Sequence, residues 1–153
     1  MKHGGYQIRG TLRNKSDPKK FNEVLKAFGK DQLSLIELVD MELNDYPSIE
    51  RAVAGCKYVI HAACPNPSKA PKNDAPLIQA GSEGTTNVLK AAYAAKVKRV
   101  VVTCSIASIF MRTEANHKSD YDESDWSNPE MCLNIHHKIT YNKELAVWKF
   151  IKE

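Results

Sequence analysis

Tyr58-Val59-Ile60-His61-Ala62-Ala63 is a nearly unbroken apolar run. It is too short for an ordinary helix and reads as a strand buried on both faces, as in parallel sheets. Arg99 to Ser105 (RVVVTCS) repeats the character, apolar and β-branched. Between them, 65–76 holds four prolines and reads as loop, and a long helix is expected from about Leu77 to Lys96. Upstream, Tyr6 to Arg13 reads as a strand. Asp17-Pro18 then opens a helix: Asp17 suits the N-cap, Pro18 the first turn, and Gly29 the end. Leu33 to Val39 is the next strand, stopping at Asp40, and a helix from about Pro47 closes at Gly55. The segment 113–134 is polar and irregular. A last helix, Tyr141 to Lys152, carries Leu145, Trp148 and Ile151 on one face. Strand and helix alternate, which predicts an α/β fold with a parallel sheet and right-handed crossovers.

The chain has 153 residues, enough for one compact domain. Hydrophobic residues at 42% allow a core, so disorder of the whole chain is not expected. The net charge of +4 comes from scattered Lys and Arg, a solvated surface and not a nucleic-acid footprint. Cys56, Cys64, Cys104 and Cys132 form no CxxC pair, and His136-His137 point apart in regular structure, so no metal site is expected. No apolar stretch reaches membrane-helix length and no signal-peptide core opens the chain; a cytoplasmic protein is expected.

Ligands bind at the carboxyl ends of strands in such sheets. Arg13 ends the first strand, with Lys20 close behind. A guanidinium there matches the 2′-phosphate of NADP, or is simply a surface Arg. Asp40-Met41 end the second; a carboxylate there accepts from an adenine amino group, or caps a loop. Ser105 ends the fourth, where a hydroxyl donates to a substrate carbonyl or serves a local turn. Tyr141 and Lys143 open the last helix. A phenol beside an ammonium is the acid–base unit of hydride transfer, protonating a carbonyl oxygen as hydride reaches carbon; the other reading is a Tyr packed on a helix face.

Six stretches occur together and in order: GYQIRGTLRN (Gly5 to Asn14), AGCKYVIHAACP (Ala54 to Pro65), EGTTNVLKAA (Glu83 to Ala92), RVVVTCSIASI (Arg99 to Ile109), YDESDWS (Tyr121 to Ser127) and ELAVWKFIKE (Glu144 to Glu153). With them the chain resembles the extended short-chain dehydrogenases/reductases of the dihydroflavonol reductase and cinnamoyl-CoA reductase kind. The resemblance implies a Rossmann-like parallel sheet with flanking helices and an NADPH-dependent reductase of a ketone or aldehyde, with NADP preferred to NAD. It implies that Arg13 and Lys20 hold the 2′-phosphate, Asp40 and Met41 flank the adenine, and Ala62, Ala63 and Pro65 line the cofactor groove. Ser105 would orient the substrate carbonyl, Tyr141 would be the proton donor, and Lys143 would hold the nicotinamide ribose. Asn87 matches an asparagine in the helix behind the site.

The chain also departs from that pattern. The family opens with a strand and a GxxGxxG turn that receives the pyrophosphate; residues 1–153 would then be a partial NAD(P)-binding domain, lacking this first βα unit and the C-terminal substrate lobe. The omitted strand is central, so the two strands beside it pair with each other, receive a strand from a protein partner, or leave the fold marginal. The family's YxxxK places Tyr and Lys one helical turn apart. Here Tyr141 and Lys143 are two residues apart, which turns them roughly 200° from each other, and the position four before Lys143 is Ile139. A catalytically inactive Rossmann-like subunit, acting as a structural or interaction module, is the alternative expectation.

Overall fold

A computed structural model describes residues 5–67 and 71–153. The elements run β1 (Ile8–Leu12), α1 (Pro18–Leu33), β2 (Ile36–Asp40), α2 (Tyr46–Val53), β3 (Tyr58–His61), α3 (Ala75–Ala94), β4 (Arg99–Val102) and α4 (Ile135–Lys152). Alternation of strand and helix is as expected, and every strand pair is parallel.

The strands do not form one sheet. β1 pairs with β2, from Ile8 opposite Ile36 to Leu12 opposite Asp40. β3 pairs with β4, from Tyr58 opposite Arg99 to His61 opposite Val102. Of the three outcomes open from sequence, direct pairing of β1 with β3 does not occur among the described residues.

Several boundaries move, each for a local reason. Asp17 caps α1 as expected, its carboxylate accepting from the amides of Lys19 and Lys20. Gly29 breaks the helix at φ 74°, ψ 161°, but a further turn follows and ends in buried Leu33. Leu33 therefore closes α1 and does not open β2. Pro76 lies in the first turn of α3 and not in a loop, because its fixed φ and absent N–H suit that position. Helix α4 begins six residues before Tyr141: Asn134 caps it by accepting from the His137 amide at 2.9 Å. Its buried stripe is Ile135, Ile139 and Lys143, at spacings of four, whereas Leu145, Trp148 and Ile151 are substantially exposed. The expected apolar face was thus the outward one.

The core lies on one face of the β3–β4 pair. Ile49 and Val53 of α2 pack with Val88, Ala91 and Ala92 of α3, and Val59 and Val100 close on them from the strands. Helices α3 and α4 cross closely at Gly81: a Cβ there would stand 2.8 Å from the Ile139 Cγ2. Lys138 pairs with Asp74 at 2.6 Å across the same contact.

Candidate functional site

The carboxyl end of the β3–β4 pair is organised by a single buried amine. Lys143 is 1% exposed, and its Nζ donates to the carbonyl oxygens of Ala63 at 3.2 Å and Thr103 at 3.1 Å. These residues follow β3 and β4 directly, so α4 delivers one side chain to both strand ends. An ammonium has three donors; two are engaged here, and one remains for a ligand oxygen. Burial lowers the Lys143 pKa below the ordinary lysine value, against a smaller opposing influence of Cys64 and Cys104.

Beneath this point His61 is buried, with Nε2 3.0 Å from the Thr85 hydroxyl oxygen of α3. Burial, reinforced by the positive charge of Lys143, brings the imidazole down to about 4. His61 is therefore neutral near pH 7 and ties β3 to α3. The Cys64 thiol is pushed up by burial, so it stays protonated. Lys143 and Ala63 were expected at the site, whereas His61, Thr85 and Cys64 were not singled out from sequence. The burial of Lys143 was also not foreseen, although the apolar i−4 and i−8 positions Ile139 and Ile135 on its own helix face signalled it.

One turn before Lys143 stands Ile139, fully buried against Gly81 and carrying no polar atom. Tyr141 lies on another face, its ring edge-on to Trp126 with centroids 5.9 Å apart. Ser105 caps the short turn Ile106–Ser108, its hydroxyl oxygen accepting from the Ala107 amide at 3.2 Å. That is the local turn role, and the hydroxyl hydrogen remains able to donate.

The other strand pair ends in its own cluster. The Asp40 carboxylate accepts from the Lys15 amide at 2.6 Å, which ties the loop after β1 to the end of β2. Arg13 is exposed in that loop. Lys20 is paired with Glu23 at 2.8 Å. Between the two pairs runs a groove of about 480 Å³, lined by Gly10, Thr11 and Met41 on one side and by Ala62 and Ala63 on the other. Met41, Ala62 and Ala63 thus share one cleft, while Arg13, Lys20, Asp40, Pro65, Ser105, Tyr141 and Lys143 are not part of its wall. Pro65 instead packs near Gly81, and Asn87 is half-buried in α3. No group of three potential metal ligands gathers among the described residues, and no described helix is long and apolar enough to cross a membrane.

Residues 13–147 match the model of the 3-beta hydroxysteroid dehydrogenase/isomerase family. The chain is 36% identical over 154 residues to cinnamoyl-CoA reductase 1 of Petunia hybrida, covering 97% of this chain and 44% of that protein. It is 34% identical to the bifunctional dihydroflavonol 4-reductase/flavanone 4-reductase of Malus domestica, again covering 97% and 44%. The chain therefore spans less than half the length of these curated relatives. Among solved structures it superposes on the yeast methylglyoxal/isovaleraldehyde reductase Gre2 complexed with NADPH. There the TM-score is 0.74 and the identity 21%, covering 97% of this chain and 46% of that one. Vestitone reductase from alfalfa gives a TM-score of 0.70 at 23% identity, with 97% and 45% covered. These superpositions show a Rossmann-type fold.

Proposed function

The chain belongs to the 3-beta hydroxysteroid dehydrogenase/isomerase family, and from that membership we propose that it is a nucleotide-binding part of an NADPH-dependent reductase of a ketone or aldehyde. The observation that carries the reading is the Lys143 amine, held by Ala63 and Thr103 where two parallel strands end, with one donor to spare.

The residues present fit a nicotinamide dinucleotide in part. Ala62 and Ala63 are small enough for close approach, and Met41 offers an apolar wall in the same cleft. Arg13, exposed beyond β1, supplies a guanidinium for a 2′-phosphate, which favours NADP over NAD. Lys20 adds a second cation, although Glu23 competes for it. Asp40 borders the adenine side while it braces Lys15. When bound, the dinucleotide supplies hydride. The spare donor of Lys143 would hold a ribose hydroxyl and Ser105 would donate to the substrate carbonyl, whereas Tyr141, the expected proton donor, lies on another face of α4 against Trp126.

A second reading is a binding or structural module without turnover. Ile139 favours it: the residue that shares a face with Lys143, one turn away, has no proton to give. Titration separates the possibilities. The 153-residue chain is expected to shift and enhance NADPH fluorescence with saturation below about 1 mM. No change at that concentration removes the cofactor reading. Binding without reduction of a cinnamaldehyde-type substrate supports the module.

A further inference from the structure

Ser16 is exposed in the turn that joins β1 to α1. The Asp17 amide donates to the Asn14 carbonyl at 3.2 Å, which closes the turn around Lys15 and Ser16. The Ser16 amide donates to the Asn14 side-chain oxygen at 2.9 Å. These amides hold the turn, so it does not need the Ser16 hydroxyl. Exposed turns of this kind are where modifying enzymes reach a chain.

The neighbouring charges single out this hydroxyl. Arg13 stands three residues before Ser16. None of the other arginines, Arg9, Arg51, Arg99 and Arg112, has a Ser or Thr three residues after it. An arginine at that spacing is the charge pattern that arginine-directed serine kinases read, with carboxylates that take the guanidinium. Arg9 and Arg112 are moreover committed to Glu37 and Asp125. Arg13 is exposed and makes no ion pair among the described residues.

A phosphate on Ser16 has partners at hand. It brings roughly two negative charges and three acceptor oxygens. The first amides of α1 are not among its partners, because the Asp17 carboxylate already accepts from those of Lys19 and Lys20. Side-chain cations remain. Arg13, Lys15 and Lys19 are exposed and lie within three residues of Ser16, while Lys20 is drawn to Glu23. Arg13 is also the guanidinium offered above to the 2′-phosphate of NADP. A phosphate on Ser16 therefore takes that guanidinium and repels a second phosphate from it.

We propose that Ser16 is a phosphorylation site for an arginine-directed serine kinase, and that its phosphate displaces NADPH by engaging Arg13. The Ser16 hydroxyl oxygen attacks the γ-phosphorus of ATP. The bond from that phosphorus to the bridging oxygen breaks, ADP leaves, and the serine proton passes to the base of the kinase. The displacement rests on the cofactor reading; the modification site does not.

The test incubates the 153-residue chain with ATP and the catalytic subunit of cyclic-AMP-dependent protein kinase. Mass spectrometry is expected to place the phosphate on Ser16, and Arg13→Ala to slow labelling at least about tenfold. By phosphorus NMR, the phosphoserine is expected to lose its second proton at lower pH in the folded chain than in urea, and Arg13→Ala to abolish that difference. Labelling is expected to raise the Kd for NADPH at least about tenfold and that for NADH less than about threefold. Ser16→Ala, treated identically, keeps the affinity of the unlabelled chain. No phosphate on Ser16 overturns the proposal. So does a phosphoserine titration indifferent to Arg13→Ala, an unchanged Kd for NADPH, or an equal loss for NADPH and NADH. If the unlabelled chain binds no NADPH, the cofactor reading fails and the displacement with it, while labelling still decides the modification site.

Discussion

Ile139 and Lys143 stand one turn apart on the buried face of α4, the first sealing the contact with Gly81 and the second reaching the carbonyls of Ala63 and Thr103. The helix thus uses one stripe for two purposes. Ile139 fixes its depth against α3, and Lys143 exploits that depth to join two strand ends.

Replacing Lys143 tests the second purpose. Lys143→Met keeps much of the volume but removes the donors to Ala63, Thr103 and the ligand. The Kd for NADPH is expected to rise roughly tenfold or more, the size of one lost charge-assisted hydrogen bond. Fluorescence titration reads it, with circular dichroism checking the fold.

Gly81→Ala tests the first. The new Cβ meets the Ile139 Cγ2 at 2.8 Å, and a β-branched side chain so close to its backbone yields little. A loss of about 1–3 kcal/mol is expected from the urea midpoint. Adding Ile139→Ala makes room, so the double variant should be more stable than the sum of the single changes predicts.

His61 makes stability depend on pH. Its imidazole falls from 6.5 in the unfolded chain to about 4 when folded, so the unfolded chain binds the extra proton first. The contribution is fully present above about 6.5 and is lost as pH falls toward 4. At 1.36 kcal/mol per unit, the loss is at most about 3 kcal/mol. Urea midpoints between pH 7 and 4 should decline, and His61→Gln should flatten that decline; an equal slope in the variant removes the assignment.

Arg13 bears on cofactor choice. Arg13→Ala should weaken NADPH by about tenfold and leave NADH nearly unchanged, because only the former carries the 2′-phosphate. Parallel titrations with the two cofactors decide it. Equal losses would place Arg13 outside the phosphate contact.

The order of elements was legible because it rests on local rules. The apolar runs at Tyr58 and Arg99 announced strands, Asp17-Pro18 announced a helix start, and Gly55, at φ 73°, announced a helix end. The start of α4 was misread because His136, His137 and Lys138 hide its polar first turns. The buried stripe Ile135, Ile139, Lys143 contains a lysine, which no hydrophobic pattern counts as core.

Sequence alone determined that strands and helices alternate, that they are parallel, and which residues stand at strand ends, since these follow from composition and period within a few residues. Tertiary structure decided that the strands separate into two pairs, that Lys143 is buried while Leu145, Trp148 and Ile151 face outward, and that Asp40 braces Lys15. Those outcomes depend on which distant groups can satisfy one another: a lysine goes inside only where two carbonyls from separate strands wait for it.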